Sequence, residues 1–269
     1  MITFPNAKIN LGLQVVAKRP DGYHNLRSVF YPVGWSDVLE ILPAANLRFD
    51  STGIDIPGEA SGNLCLKAYH LLKADFDLPP VHIHLHKVIP VGAGLGGGSS
   101  DGAFTLCMLN ELHALGLRAE QLEAYARQLG SDCAFFIRNQ PVYAFDKGDH
   151  FEAISLSLKE HFIVLVNPGI PIATAEAYAG VKPQLPTSDL KSALQGPIAT
   201  WRETISNDFE PELIVQHPAI GEIKESLYRH GAQYASLTGS GSTVYGIFGQ
   251  EKDLRDAFPG YATWQGPLG

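Results

Sequence analysis

The run VGAGLGGGSSDGA, Val91 to Ala103, holds six glycines and two serines in thirteen residues. A chain can fold in few ways around so much bare backbone. Upstream, VHIHLHKVI alternates apolar and polar residues and ends at Pro90, which predicts a strand delivering the chain into the glycines. Downstream, SSDGAFTLCMLNELHALGL has helical periodicity and stops at Gly116, which predicts a helix beginning at Ser99-Ser100. The first N–H groups of a helix lack intrahelical partners and carry the positive end of its dipole, so they attract an anion. Glycines before them let the backbone take positive φ and approach a ligand with no Cβ in the way. Strand, glycine loop and helix start together make a phosphate cradle, with the serine hydroxyls offered to a phosphate oxygen or a Mg²⁺ ion.

Other readings of the glycines compete. Gly92-x-Gly94-x-x-Gly97 fits a dinucleotide fingerprint, but that site needs an acidic residue closing a second strand ~20 residues on. Here that distance falls in helical sequence. A Walker A loop is excluded because no Gly-Lys-Ser/Thr follows. A ligand-free turn needs only one or two glycines.

The 269 residues suit two modest domains, and 45% hydrophobic with 18% charged residues can build a real core. A net charge of −8 speaks against nucleic acid or a membrane surface as partner, so an anionic ligand must be held locally. Cys65, Cys107 and Cys133 stand alone, odd in number and without CxxC spacing, which points to a reducing, cytoplasmic setting. The N-terminus has no signal-peptide pattern, and no window reaches the ~20 apolar residues of a membrane span.

Along the chain, AKINLGLQVVAKRPDGYHNLRSVFYPVGWSDVLEILPA reads as strands around a Pro-Asp-Gly turn, and SGNLCLKAYHLLKADF as a helix behind Ser61, Gly62 and Asn63, which can start it. RAEQLEAYARQLG predicts a second helix, stopped at Gly130. HFIVLVNPGI reads as a buried strand, the stretch from Lys191 to Gly231 as helices with loops, and QYASLTGSGSTVYGIFG as two strands around a glycine turn. A composition change places a boundary near 150, giving domains of 1–150 and 151–269.

Lys8 and Asn10 occupy alternate positions of the first strand and share a face. A lysine among buried-looking neighbours suits catalysis, although strand lysines often point to solvent. Asp132, between Gly130-Ser131 and CAFFI, is placed at the join of a helix end and an apolar strand, where it serves either as a base or as a cap. His82, His84 and His86 share one strand face, with no cysteine or carboxylate cluster beside them to complete a zinc site. Tyr23 and His24, in RPDGYHNL, can stack on a planar ring or simply decorate a turn. LTGSGST, taken alone, is a hairpin connection.

Taken in order, AKINLGLQVVAKRPDGYHNLRSVF, PVGAGLGGGSSDGA, LGSDCAFF, NPGIPIATAEAY, SNDFEP and LTGSGST resemble the GHMP kinase superfamily from about residue 5 to 248. The resemblance implies an α/β (α+β) fold of two domains: an N-terminal ATP-binding domain like ribosomal protein S5 domain 2, and a ferredoxin-like C-terminal one. It implies transfer of the ATP γ-phosphoryl group, with Mg²⁺, to an alcohol. DGYH together with GLGGGSSD narrows the acceptor to the 2-hydroxyl of a cytidine-diphosphate-linked methylerythritol, in non-mevalonate isoprenoid synthesis. By similarity, Lys8 and Asp132 are the catalytic pair. Gly92, Gly94, Leu95, Gly96, Gly97, Gly98, Ser99 and Ser100 wrap the ATP phosphates, and Asn63, Leu64 and Lys87 line the adenine pocket. Gly239, Ser240 and Gly241 form the third superfamily motif. Asn10 and Thr174 contact the acceptor's polar groups, and Tyr23, His24 and Tyr178 surround its cytosine. No residue of the pattern claims the metal. A small-molecule substrate and a monomer or weak homodimer in the cytoplasm complete the expectation. Ser131 and Cys133 beside Asp132, FDKGDHFE, and GSGST in place of Gly-Thr-Gly-Ala depart from the usual pattern.

Overall fold

The structure is a computed structural model and describes residues 1–186 and 188–269. In chain order the elements begin with β1 (Ile2–Thr3), β2 (Asn6–Lys18), β3 (His24–Ser36), β4 (Val38–Pro43) and β5 (Arg48–Gly53). Then come α1 (Leu64–Asp75), β6 (Val81–Lys87), α2 (Gly97–Leu112), α3 (Ala119–Leu129) and α4 (Phe135–Arg138). β7 (Val142–Phe145), β8 (His150–Ala153) and β9 (Phe162–Asn167) follow, with helices α5 (Thr174–Ala179), α6 (Leu190–Leu194), α7 (Trp201–Thr204), α8 (Glu210–Gln216) and α9 (Pro218–Arg229). The chain closes with β10 (Tyr234–Leu237), β11 (Val244–Phe248) and β12 (Ala262–Pro267).

Two compact units are each built from separate stretches of chain. The first takes Met1–Ala7, Trp35–Val91 and Gly96–Gln140; the second takes Lys8–Gly34, Gly92–Leu95 and Pro141–Gly269. Residue 150, where composition changes, lies at the start of β8 inside the second unit. Local composition cannot register that β3 pairs with β7, Phe30 opposite Val142.

In the first unit the sheet order is β1-β4-β6-β5, with β5 and β6 parallel and the other pairs antiparallel. β6 buries Val81, Ile83, Leu85 and Lys87, while His82, His84 and His86 fall on the opposite, more open face. The two-residue side-chain period of a strand thus carries a lysine into the interior. Asn63 caps α1 by accepting from Cys65 N at 2.8 Å. α1 crosses α2 where Gly102 leaves room: a Cβ there would sit 3.0 Å from Leu64 Cβ. α3 buries Leu122 and Ala126 and ends at Gly130 as its sequence implies. CAFFI, expected to start a strand, instead forms a turn and the short helix α4. A five-residue apolar run fits a buried helical turn as well as a strand, and Phe135 and Phe136 are both buried.

The second unit holds two sheets. One has the order β2-β3-β7-β8; the other, β10-β11-β9-β12, is antiparallel throughout. Its core joins Val164, Val166, Leu237, Val244 and Phe248 to Phe209 and Leu213 of the α8 region and to Ile220, Ile223 and Leu227 of α9. Leu13 and Val15 of β2 belong to the same core, and residues 206–208 pair with that strand through Leu13 N to Ser206 O (2.9 Å) and Asp208 N to Leu13 O (2.8 Å). Residues 7 to 13 of β2 are buried without a break, so both faces are covered and every polar group on them must find an internal partner. No helix among the described residues is long and apolar enough to cross a membrane.

Candidate active site

β2 puts Lys8 and Asn10 on one covered face, where they are 3% and 2% exposed. The Lys8 ammonium donates to Asn10 Oδ1 at 2.6 Å and to Gly94 O at 3.3 Å, and lies 4.9 Å from the centre of the Phe30 ring. Asn10 Nδ2 donates to Ser28 Oγ at 2.8 Å, and Ser28 spends its own proton on Gly12 O at 2.6 Å. The Ser28 oxygen can then only accept, so the amide is oriented with its oxygen toward the lysine. Asn10 N–H donates to Thr238 Oγ1 at 3.0 Å, and that hydroxyl reaches Gly94 O at 3.3 Å. Lys8 N–H holds Leu95 O at 2.9 Å. The structure therefore gathers Lys8, Asn10, Gly94 and Leu95 with the second glycine turn into one buried polar cluster.

The glycines divide by role. Gly92, Gly94 and Gly96 alternate at φ of 69, 80 and 70°, a region that L side chains seldom enter. A Cβ at Gly94 would collide with Thr238 O, one at Gly241 with the Ala93 carbonyl carbon, and one at Gly239 would lie 2.9 Å from Gly94 O. These three let two backbones touch. Around Gly92 and Gly98, by contrast, a Cβ would meet nothing within 4 Å, which is the room a ligand needs. Ser240 sits at the half-buried tip of the second turn. The buried Asn207 pins that turn from behind, donating to Leu237 O (3.0 Å) and Gly239 O (2.9 Å) while accepting from Phe209 N.

In the first unit α2 begins at Gly97, two residues before the expected serines, because Gly96 takes the left-handed conformation and its carbonyl accepts from Ser100 N at 2.9 Å. Gly97 is tightly placed: a Cβ there would lie 2.9 Å from Lys87 Nζ. Ser100 Oγ is buried on the first turn with no hydrogen-bond partner among the described residues, and so is Asp101 Oδ1. An orphan hydroxyl at a helix start, as Ser100 Oγ is, suits a phosphate with its Mg²⁺, a hard cation that takes oxygen ligands. Lys87 is 3% exposed, its ammonium bonded to Asp37 Oδ2 and to Asp101 Oδ2 (2.8 Å), so the lysine assigned to an adenine pocket is an interior ion-pair partner. Burial alone would depress its pKa, but Asp101 and Asp37 carry it above the usual lysine value. Burial raises the Asp101 carboxyl to about 7, against the pull of Lys87 and with the Asp37 charge adding to the rise. Asn63 and Leu64 lie at the start of α1, Leu64 against α2 at Gly102.

Asp132 is half-buried in the turn between α3 and α4, where its carbonyl accepts from Phe135 N and its carboxylate from Ser131 Oγ at 3.4 Å. The thiol of the next residue, Cys133, lies near enough to Ser99 to be influenced by it, which sets this turn beside the first turn of α2. Burial pushes the Cys133 thiol up to about 12, so it is unreactive.

His24 stacks on Tyr178 with ring centroids 4.6 Å apart and planes at 18°, and Tyr178 meets Phe209 edge-on at 4.9 Å. Burial, helped by Lys18, lowers the His24 pKa, which favours a neutral ring able both to donate and to accept. Thr174, the first residue of α5, lies one turn from Tyr178 on the same helix. Tyr23 stands apart, 63% exposed with the Lys147 ammonium 5.3 Å from its ring. On β6, His82 bonds Asp50 at 2.7 Å, and His84 and His86 both reach Thr52 Oγ1. Asp37, Asp101, Ser28, Thr238 and Asn207 carry much of this architecture and escaped the sequence reading. Asn207 and Thr238 lie inside the motifs SNDFEP and LTGSGST, and Asp37 is a single acid between two apolar runs.

Known proteins carry the same pattern. The family described as GHMP kinases N terminal domain matches residues 63–140, and GHMP kinases C terminal matches residues 190–261. A Cytophaga hutchinsonii protein named 4-diphosphocytidyl-2-C-methyl-D-erythritol kinase is 53% identical over 92% of both chains. One of the same name from Bacteroides thetaiotaomicron is 54% identical over 94% of both, and one from Parabacteroides distasonis 46% identical over the full length of both. A crystal structure of 4-(cytidine 5'-diphospho)-2C-methyl-D-erythritol kinase superposes with a TM-score of 0.85 at 30% identity, covering 100% of this chain and 99% of that one. A Methanococcus jannaschii mevalonate kinase, at 15% identity and a TM-score of 0.75 over 100% of this chain and 98% of its own, shares the fold. The chain belongs to the GHMP kinases and, among them, to the family of 4-diphosphocytidyl-2-C-methyl-D-erythritol kinases.

Proposed function

We propose that the protein transfers the γ-phosphoryl group of ATP to the 2-hydroxyl of 4-diphosphocytidyl-2-C-methyl-D-erythritol, yielding the 2-phosphate and ADP, a step of non-mevalonate isoprenoid synthesis. The observation that most supports this is the seating of the two glycine turns on each other beside Lys8 and Asn10, with open space at Gly92 and Gly98. Phosphoryl transfer needs positioning and charge neutralisation more than covalent help from the protein. Backbone amides from Gly94 to Ser100 hold the triphosphate, and Gly239 to Gly241 back the loop at Ala93 and Gly94. Ser99 and Ser100 would offer oxygens to a Mg²⁺ ion accompanying the nucleotide, which would supply charge neutralisation.

In the reaction the acceptor oxygen forms a bond to the γ-phosphorus while the bond to the β–γ bridging oxygen breaks, and ADP leaves. Asp132 orients the hydroxyl and takes its proton. Lys8 stabilises negative charge on the moving phosphoryl group, and Asn10, held by Ser28, fixes the ammonium. Asn63 and Leu64 line the adenine, and Lys87 supports that wall from the interior. The His24–Tyr178 stack receives the cytosine, with Thr174 and Tyr23 at its edge. Free thiols at Cys65, Cys107 and Cys133 suit a cytoplasmic enzyme, working as a monomer or weak homodimer.

The test is ADP release measured over a panel of alcohols, with thermal shifts for ATP·Mg²⁺ against NAD(H). Turnover confined to the cytidine-linked acceptor is expected. Turnover with homoserine or mevalonate instead would assign another GHMP kinase activity, and stabilisation by NAD(H) alone would reject the kinase reading.

A further inference from the structure

Asp37 is fully buried between the end of β3 and the start of β4, with no place in the chemistry above. One of its oxygens, Oδ1, accepts from two consecutive backbone amides, Val88 N at 2.6 Å and Ile89 N at 2.8 Å. The other, Oδ2, accepts from the Lys87 ammonium. The same ammonium donates to Asp101 Oδ2 at 2.8 Å. Asp37 is itself tied down, its N–H donating to Pro5 O at 2.9 Å.

Residues 87–89 are the last before the glycine loop, and Asp101 stands on the first turns of the helix that follows it. One carboxylate thus grips the entry of the loop by two amides and, through Lys87, its exit. The loop between has three glycines at positive φ, and Ala93 and Leu95 are its buried side chains. Loop ends held at a fixed separation lower the entropy that such a segment loses when it is ordered around a ligand. A buried trio of two acids and one base is expensive to desolvate and is often bettered in stability by apolar residues of the same volume. The geometry therefore points to a use beyond stability.

We propose that Asp37 is a positioning residue for phosphoryl transfer: with Lys87 and Asp101 it closes the base of the glycine loop and fixes the distance between the loop's entry and the amides that open α2. None of the three touches the reacting atoms in this role. The inference rests on the kinase reading above and deepens it.

The test compares Asp37→Asn and Asp101→Asn with wild type. Asparagine keeps the size of each side chain and an acceptor, but removes the charge that holds Lys87. The KM for ATP should rise roughly tenfold in Asp37→Asn and about three- to tenfold in Asp101→Asn, because small misplacements of a binding group cost that much or more. The KM for the alcohol should stay within about twofold of wild type. In hydrogen exchange without nucleotide, amides 92–98 should exchange faster in the variants while those of α3 do not change. Asp37→Glu, which restores a carboxylate to Val88 N, Ile89 N and Lys87, should recover part of the ATP KM. If Asp37→Asn fails to fold, Asp101→Asn decides alone by the same readouts. ATP KM and loop exchange equal to wild type, or equal rises in both KM values, would overturn the proposal. Lack of any ATP turnover by the wild type would instead overturn the kinase reading, so the two failures are distinct.

Discussion

The Lys8 ammonium and the Asn10 amide oxygen, two residues apart on one strand, meet at 2.6 Å inside the protein, and Ser28 forbids the amide to turn over. The cation is thereby aimed before any substrate arrives. Lys8→Met should lower kcat by roughly 10²- to 10⁴-fold with little change in ATP affinity, the pattern for a contact made in the transition state. Asp132→Asn should behave alike. Steady-state kinetics with both substrates varied checks this, and near-normal kcat in both variants would remove the catalytic pair.

Thr238, in the second glycine turn, is the hydroxyl that joins that turn to β2 and to the first glycine loop. Thr238→Val keeps the shape but leaves the Asn10 N–H facing a methyl group, at a cost of about 1–3 kcal/mol. Thr238→Ser should recover most of it. Urea unfolding of the three proteins measures the difference.

The two classes of glycine should fail differently. Gly241→Ala drives a methyl into the backbone at Ala93 and should destabilise the protein by about 3 kcal/mol or more. Gly98→Ala meets no protein atom within 4 Å and should leave Tm nearly unchanged, yet raise the KM for ATP by intruding on the phosphates. Melting curves set beside ATP titrations separate the two.

The Asp101 carboxyl gives stability a pH dependence of definite sign. Unfolded, it ionises near the ordinary value of 3.8; folded, burial raises it to about 7. Between those values the native protein keeps a proton that the unfolded chain has released. This contribution is therefore greatest below the lower value and is lost as pH rises through the upper one, at no more than about 1.4 kcal/mol per pH unit. Lys87, Asp37 and the buried Cys65 thiol are the charged and titratable neighbours that set it. Tm should fall between pH 5 and 8 in wild type more steeply than in Asp101→Asn.

Because His24 and Tyr178 contact each other through ring faces, Tyr178→Ala should raise the acceptor KM about tenfold and Tyr178→Phe hardly at all, with ATP KM unaffected in both.

Local pattern was enough to read the strand, glycine loop and helix, the start of a helix after Ser61-Gly62-Asn63, the shared face of Lys8 and Asn10, and the final hairpin. Each is set by neighbours a few residues apart. The roles within the glycine run were not legible, because whether Gly94 serves a ligand or clears Thr238 depends on a segment far along the chain. The resemblance gives Lys87 only as an adenine-pocket residue; the strand period and two distant aspartates account for its burial. The turn after Asp132 defeated periodicity because five apolar residues carry no period to read. The place of Tyr178 over His24 likewise depends on tertiary packing.

The interleaved build of the two units bears on how the chain is made. Phe30 leaves the ribosome long before Val142, its partner across the sheet, and Leu13 waits longer still for Asn207. Nascent β2 and β3 are therefore an apolar ribbon with no sheet to join until most of the polypeptide has emerged. Folding from the N-terminus forward, the usual course for consecutive domains, is closed to the unit that carries Lys8. A fragment ending near residue 150 should lack a folded second unit and need a chaperone's shelter.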